Sequence, residues 1–261
     1  MTAKGEVRDA SGGRPVALVT GVGRTAGIGA GVVRRLAVSG WDIAFTYWNA
    51  YDARMEWGEE KGASEAIRTE LVESGAACAG IEADLPDVGT PERVFAEAES
   101  RLGAVTALVL CHCESVDSGL LDTTVESFDR HFAVNARGSR LMVREFGRRF
   151  KGPHGSGRIV ALTSDHAAGN LPYGASKGAL DRITLAAARE LAGLGVPANV
   201  VNPGPVDTGW MPRETREHVR AATPLGRLGT PDGTAHLVDF LCSPRGQWGN
   251  GQVLMSNGGF A

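Results

Sequence analysis

The sequence predicts a doubly wound α/β domain, in which a parallel sheet of seven strands carries helices on both faces. Short runs of β-branched and aliphatic residues alternate with longer segments whose apolar residues recur at three- and four-residue spacing, as Phe128, Phe132 and Phe146 do. Neither an internal repeat nor a linker divides the chain of 261 residues. One domain is therefore expected, from residue 15 to residue 261.

This alternation gives the order of the elements. Strands are expected at residues 16–20, 43–47, 78–83, 107–110, 159–163, 198–202 and 253–255. Helices are expected near residues 27–39, 62–74, 91–102, 125–149, 173–193 and 232–242. Ligands of such sheets bind beyond the carboxyl ends of the strands, so the residues that follow each strand are the candidates for a functional site.

The composition argues against several classes of function. A net charge of −3 gives no sign of nucleic-acid or membrane-surface binding, and no apolar run approaches the length that spans a membrane. Residues 1–14 lack the apolar stretch of a signal peptide, so we expect a disordered lead-in and a cytoplasmic protein. The four cysteines do not suggest a disulfide framework. Cys111-His112-Cys113 has no second cluster to complete a metal site, so no metal is expected.

A glycine-rich turn follows the first strand and opens the first helix. Glycine permits a tight turn and a close approach of the backbone to a pyrophosphate, and the helix N-terminus offers free N–H groups. A strand before the turn and a helix after it predict a Rossmann-type dinucleotide site. The contacts expected from this turn are those of Gly21, Arg24, Thr25, Gly27, Ile28 and Gly29.

The second strand bears on the choice between NADP and NAD. It ends in Tyr47-Trp48, without the acidic residue that usually holds the ribose 2′-hydroxyl of NAD. Arg24 can neutralise a 2′-phosphate, so NADP is predicted, with Tyr47 and Trp48 beside it. Asp52 and Glu56 follow in a polar stretch and keep NAD open as an alternative.

The stretch LPYGASKGAL, residues 171–180, has two incompatible interpretations. Ser176 lies in a G-x-S-x-G pattern, which presents the nucleophile of many serine hydrolases but needs a strand that runs directly into the serine. A loop precedes it here, which disfavours a hydrolase. Tyr173 and Lys177 are four residues apart and share one face of a helix. A nearby ammonium lowers the pKa of a phenol, so this pair predicts a general acid/base.

The whole set of motifs resembles the short-chain dehydrogenase/reductase family, and most of all its bacterial 3-oxoacyl-acyl-carrier-protein reductase-like branch. The resemblance runs from Val16 to Phe260. It is carried, in family order, by Thr20-Gly21 with Gly27-Ile28-Gly29, Asp84-Leu85, Asn135, Ser164, Tyr173-x-x-x-Lys177 and Asn202-Pro203-Gly204-Pro-Val206-Asp-Thr208. The segments Pro224-Leu-Gly-Arg-Leu-Gly-Thr-Pro231 and Gly251-Gln252 fit that branch too.

The resemblance implies an enzyme that moves a hydride between NADP(H) and a ketone or secondary alcohol. Tyr173 would exchange a proton with the substrate oxygen, Ser164 would hydrogen-bond that oxygen, and Lys177 would hold the nicotinamide ribose. Asn135 would hold a water that links Lys177 to solvent. Further cofactor contacts are implied for Asp84, Leu85, Cys111, His112, Pro203, Gly204, Val206 and Thr208. A homo-oligomer, a tetramer or a dimer, is also implied, with the helices near 125–149 and 173–193 between subunits.

The chain departs from the family pattern at three places, and the second and third keep a non-catalytic nucleotide sensor as an alternative. The glycine-rich turn is two residues longer than usual, and the family's N-N-A-G is replaced by bulkier residues around Cys111 and His112. Ser164 and Tyr173 are only nine residues apart, so Ser164 is expected either to fail in its role or to border a more open pocket. The aromatic segment 49–61 is expected to cover the adenine or to contact another subunit, and 210–222 to form a substrate lid.

Overall fold

The computed structural model describes residues 13–260. Seven parallel strands form one sheet in the order β3-β2-β1-β4-β5-β6-β7, with a crossover between the two halves at β1 and β4. The predicted fold class is confirmed. The strands are β1 Val16–Thr20, β2 Asp42–Tyr47, β3 Cys78–Glu82, β4 Val105–Leu110, β5 Arg158–Leu162, β6 Ala198–Asn202 and β7 Val253–Met255.

Helices connect the strands and cover both faces of the sheet. They are α1 Ile28–Val38, α2 Asn49–Ala53, α3 Ala63–Glu73, α4 Thr90–Leu102, α5 Val125–His131, α6 Ser139–Arg149, α7 Leu171–Glu190, α8 Arg213–Ala222 and α9 Pro231–Cys242. The single helix expected over 125–149 is broken between α5 and α6 by a π-helical turn, Phe132–Gly138. Two helices, α2 and α8, were not predicted, because α2 is only 5 residues long and α8 buries none of its side chains.

The core consists of one apolar layer on each face of the sheet. Phe95, Phe146 and their neighbours fill one layer, and Trp41 and Phe45 fill the other. Every residue of β1, β5 and β6 is buried, which explains why these strands are continuous apolar runs without alternation. The sheet therefore presents rigid strand ends to whatever binds at its carboxyl edge.

The first described residues belong to the domain. Arg14, which the sequence analysis placed in the lead-in, donates hydrogen bonds from Nη2 to Ala37 O at 2.6 Å and to Trp41 O at 2.8 Å. It also pairs with Asp42, Nε to Oδ1, at 3.1 Å. The rest of the expected lead-in, residues 1–12, lies outside the described residues.

His112 joins the two central strands to the helices behind them. Its Nε2 lies 3.3 Å from Val134 O and 3.1 Å from Ser139 Oγ. Since the carbonyl can only accept, Nε2 carries the proton, and Nδ1 accepts from the Thr20 hydroxyl at 2.6 Å. Burial of the imidazole lowers the pKa of His112 from 6.5 to about 3, and the ammonium of Lys177 adds to that effect. His112, one of the bulkier residues that replace the family's N-N-A-G, thus turns its ring inward and braces β1 against β4.

This buried neutral imidazole makes the stability of the fold depend on pH. The unfolded chain binds a proton at His112 below pH 6.5, whereas the folded chain does so only near about 3. The contribution of His112 is therefore complete above pH 6.5 and is lost as the pH falls. From about pH 7 to about pH 5 we expect this residue to cost the protein about 2 kcal/mol of unfolding free energy.

Urea unfolding at the two pH values measures this loss. His112→Asn keeps a hydrogen-bonding side chain but cannot titrate, so its unfolding free energy should fall less between the two pH values than that of the wild type. His236→Asn is the control, because His236 is exposed on α9. An equal pH dependence in wild type and His112→Asn would contradict the assignment.

Candidate active site

The main cleft lies at the carboxyl ends of β1 to β4. It encloses about 760 Å³, part of it open to solvent. Its walls contain half of the residues expected to hold a cofactor, namely Gly21, Arg24, Gly27, Tyr47, Trp48, Asp84, Leu85, Cys111 and His112. Tyr51 and Asp52, from the segment 49–61, also line it, and four further lining residues with polar side chains were not predicted for the site, namely Thr46, Cys113, Glu114 and Arg130.

The glycine-rich turn has the geometry that a phosphate cradle requires. Gly21 has φ of 75°, and a Cβ there would lie 2.6 Å from His112 N. A Cβ on Gly29 would lie 2.5 Å from Gly21 O, so both positions exclude any side chain. No side chain caps the N-terminus of α1 and its first turn has no acidic residue. The first N–H groups of this helix thus suit an anion.

The remaining predicted cofactor residues lie around this cleft without lining it. Thr25 is engaged by Glu60, which accepts from the Thr25 N–H at 2.9 Å and from its hydroxyl at 2.5 Å. Ile28 begins α1. Beyond β6, Pro203 is buried and Gly204, with φ of 61°, packs against Asn257. Val206 forms a bridge with Gly229, and Thr208 O accepts from Arg24 Nη2 at 3.1 Å.

Tyr173, Ser164 and Lys177 come together at the start of α7. The ammonium of Lys177 lies 5.6 Å from the centre of the Tyr173 ring and donates to Leu162 O at 2.8 Å. Burial raises the pKa of the Tyr173 phenol, and a hydrogen bond with the Ser164 side chain opposes that shift. Burial lowers the pKa of Lys177. The expectation that Lys177 lowers the pKa of the phenol is therefore wrong for this arrangement, because the ammonium faces the ring and Leu162 O while burial of the hydroxyl dominates.

Asn135 ties the strand end of β4 to α7 from within the π-helical turn. Its Oδ1 accepts from Glu114 N at 2.7 Å, and its Nδ2 donates to Glu114 O and to Ser176 Oγ, both at 2.8 Å. The Ser176 hydroxyl is buried and donates to Tyr173 O at 2.7 Å. Ser176 thus holds the helix that carries Tyr173, and its hydroxyl has neither the exposure nor the base of a nucleophile.

The shortened loop between Ser164 and Tyr173 folds directly against α7. A Cβ on Gly174 would lie 1.9 Å from His166 O, so the loop can pass there only over a glycine. Asn170 fixes the other end of the loop through Nδ2, which donates to Ser115 Oγ at 3.0 Å and to Asp117 Oδ1 at 2.5 Å. Ser164 Oγ accepts from His166 N at 3.2 Å within this loop, and Ser164 is near enough to Tyr173 to affect the pKa of its phenol.

Segment 49–61 covers the cleft. Tyr51 and Asp52 line it, and Tyr51 donates from its hydroxyl to Ser115 O at 3.3 Å. Arg54 forms an ion pair with the buried carboxylate of Glu114, which also pairs with Arg130 at 3.2 Å. The sequence left open whether this segment covers the cofactor site or contacts another subunit. Its side chains cross the cleft, and the aromatic content of the segment was the only signal for it.

Comparisons with known proteins agree with this geometry. A family model described as enoyl-(acyl carrier protein) reductase matches residues 21–261. The uncharacterized oxidoreductase YjdA of Bacillus subtilis is 37% identical over 250 residues, which cover 94% of this chain and 96% of that protein. The chain belongs to the short-chain dehydrogenase/reductase family.

Other members of the short-chain dehydrogenase/reductase family carry names that concern the cofactor. A chloroplastic NADPH-dependent aldehyde reductase-like protein of Arabidopsis thaliana is 35% identical, over 94% of this chain and 93% of its own. A blue fluorescent protein from a metagenomic library, solved in complex with NADPH, has a TM-score of 0.84 at 34% identity, over 95% of this chain and 98% of its own. A short-chain dehydrogenase of Burkholderia cenocepacia, solved with NADP, has a TM-score of 0.83 at 30% identity, over 95% and 97%.

As a short-chain dehydrogenase/reductase, the protein is an oxidoreductase of the class that uses NADP or NAD. Within residues 13–260, no group of three or more His, Cys, Asp and Glu side chains is placed to hold a metal ion. No helix in the same range is both long enough and apolar enough to cross a membrane.

The close contact at Gly174 predicts a selective effect of alanine on α7. Gly174→Ala should lower the unfolding free energy by about 1–3 kcal/mol and speed hydrogen exchange in residues 164–170, because the new methyl group displaces His166 O. Gly178→Ala is the matched control on the same helix, since a Cβ there meets no atom within 4 Å. That variant should equal or exceed the wild type in stability. Similar stability of the two variants would show that the loop does not need the glycine.

Proposed function

We propose that the protein is an NADP-dependent carbonyl reductase that interconverts a ketone and a secondary alcohol, with Tyr173 as general acid/base. The observation that carries the proposal is the half-buried Tyr173, which has the ammonium of Lys177 over its ring and Ser164 nearby, at the same sheet edge as the dinucleotide cleft. The function rests on these three side chains together, because Y-x-x-x-K alone is a common pattern.

The cradle at Gly21 and the uncapped start of α1 support a pyrophosphate there. Asp84 and Leu85 would contact the adenine, with Tyr47, Trp48, Cys111 and His112 beside the adenosine. Arg24 is the candidate for the 2′-phosphate, which makes NADP the proposed cofactor, and Asp52 leaves NAD as the alternative. The segment with Pro203, Gly204, Val206 and Thr208 would face the carboxamide.

The bound cofactor supplies or receives the hydride. The remaining chemistry belongs to the chain. A phenol carries its proton at neutral pH, and Tyr173 would donate that proton to the carbonyl oxygen during reduction. Ser164 lies near Tyr173 and would hydrogen-bond the same oxygen.

Two N–H groups of the Lys177 ammonium are available to the nicotinamide ribose. An ammonium has three N–H donors, and Leu162 O accepts one of them. The other two can reach hydroxyls of a sugar. Asn135 is proposed to hold a water on the path from Lys177 to solvent, and since its side chain is fully used by Glu114 and Ser176, that contact would fall to its backbone carbonyl.

We also propose a cytoplasmic homo-oligomer, a tetramer or a dimer. Apolar side chains around the start of α5 support an interface between copies, since Leu121 is 98% exposed and Val125 is 72% exposed. No partner beyond a small-molecule carbonyl or alcohol is proposed.

Replacement of Tyr173 by phenylalanine tests the mechanism. Tyr173→Phe removes the proton donor but keeps the ring, so kcat/KM for carbonyl reduction should fall by about 100-fold or more. The dissociation constant for NADPH, measured by titration of its fluorescence, should change by less than about threefold.

Two results would count against the proposal. Intact reduction in Tyr173→Phe would remove the phenol from the mechanism. Tight dinucleotide binding by the wild type without turnover of any ketone or alcohol in a broad screen would favour the non-catalytic nucleotide sensor. The hydrolase alternative requires that Ser176→Ala abolish an ester hydrolysis that needs no nicotinamide.

A further inference from the structure

Trp57 holds two charged residues of the cleft at once. Its indole N–H donates to Asp52 Oδ1 at 2.8 Å. The guanidinium of Arg24 lies over its ring, 5.3 Å from the centre. Arg24 and Asp52 both line the cleft, whereas Trp57 stands behind them. One side chain therefore fixes a cation and a carboxylate at the same end of the dinucleotide site.

The two charged groups favour different dinucleotides, one with a 2′-hydroxyl and one with a 2′-phosphate. A carboxylate near the ribose accepts its 2′-hydroxyl and repels a 2′-phosphate, while an arginine pairs with the phosphate. Asp52 is buried, and its Oδ2 lies 3.0 Å from where a Cβ on Gly23 would be, so it stands against the glycine-rich turn. The choice of cofactor thus depends on which of the two groups is free to act.

Trp57 biases this balance toward the cation. One oxygen of Asp52 is occupied by the indole N–H. The guanidinium carbon of Arg24 lies over the indole ring, and one of its N–H groups donates to Thr208 O at 3.1 Å. Among the described residues, no ion pair within 4.0 Å joins Arg24 to a carboxylate. Burial raises the pKa of the Asp52 carboxyl and the charge of Arg24 opposes that shift, so the two groups interact without a direct ion pair.

The indole is itself anchored on two sides. Its ring centre lies 6.2 Å from that of Tyr51 and 6.0 Å from that of Trp210, which precedes α8. Tyr51 is pinned in turn to Ser115 O. These contacts, from Tyr51 in the segment 49–61 and from Trp210 in the segment 210–222, keep Trp57 in one orientation.

We propose that Trp57 is a specificity-determining positioning residue, which makes the cleft prefer a 2′-phosphorylated dinucleotide by orienting Arg24 and engaging Asp52. The inference rests on the proposed function for the existence of a dinucleotide site. It differs from that proposal because it assigns the preference to a residue that touches neither the phosphate nor the ribose.

Dissociation constants of NADPH and NADH, measured by fluorescence titration of the purified protein, test this assignment without any substrate. Trp57→Leu removes the ring face and the N–H together. We expect the ratio of the NADH constant to the NADPH constant to fall by about tenfold, mostly through weaker NADPH binding. Trp57→Phe keeps a ring for Arg24 but releases Asp52, so the ratio should fall by a smaller factor, about threefold.

Trp248→Leu is the matched control, because that indole is 96% exposed and lies outside the cleft. Its ratio should equal that of the wild type. Asp52→Asn combined with Trp57→Leu should recover part of the NADPH affinity, since the released carboxylate is then absent. If Trp57→Leu does not fold, the ratio in Trp57→Phe decides.

Equal changes of both constants in the Trp57 variants would overturn the assignment and reduce Trp57 to packing, with the proposed function intact. A ratio unchanged from that of Trp248→Leu would overturn it too. If the wild type binds neither dinucleotide, the proposed function fails together with this inference, and that result is distinct from the other two.

Discussion

The contact between the first turn and the end of β4 is the constraint on which the rest of the molecule depends. Gly21 passes so near the backbone of His112 that no side chain fits between them. This approach lets the Thr20 hydroxyl reach the His112 ring, and the ring then binds Val134 and Ser139 in the helices behind the sheet. The same contact therefore forms the floor of the cleft and braces β1 against β4.

From this contact, a chain of hydrogen bonds leads to the side chains proposed for catalysis. Asn135 hydrogen-bonds the backbone of Glu114 beyond β4 and donates to Ser176 Oγ, and the Ser176 hydroxyl donates to Tyr173 O. The π-helical turn that contains Asn135 has the wider spacing that such turns adopt at functional sites. Tyr173 is thus oriented from the side of the cleft, so the proposed cofactor site and the proposed proton donor are fixed by the same strand end.

The sequence was sufficient for the features that depend on local pattern. The positions of the strands, the glycine-rich turn and the shared helix face of Tyr173 and Lys177 follow from periodicity and motifs, because each is set by residues close together in the sequence. It was not sufficient where tertiary contacts decide. The pKa of Tyr173 depends on burial, which no spacing reveals, and the need for Gly174 arises from a loop folded back on its helix. The short helix α2 lacks the apolar periodicity from which a helix is predicted.

The paired arginines around Glu114 have a consequence for how the rim of the cleft responds to substitution. Glu114 stands in the loop after β4, while Arg54 comes from the segment 49–61 and Arg130 from α5. Loss of the buried carboxylate would leave both guanidinium groups without this partner, and loss of both arginines would leave a buried anion unpaired. Three segments that are distant in the sequence are therefore joined by one carboxylate, so a change at any of the three positions alters the contacts of the other two.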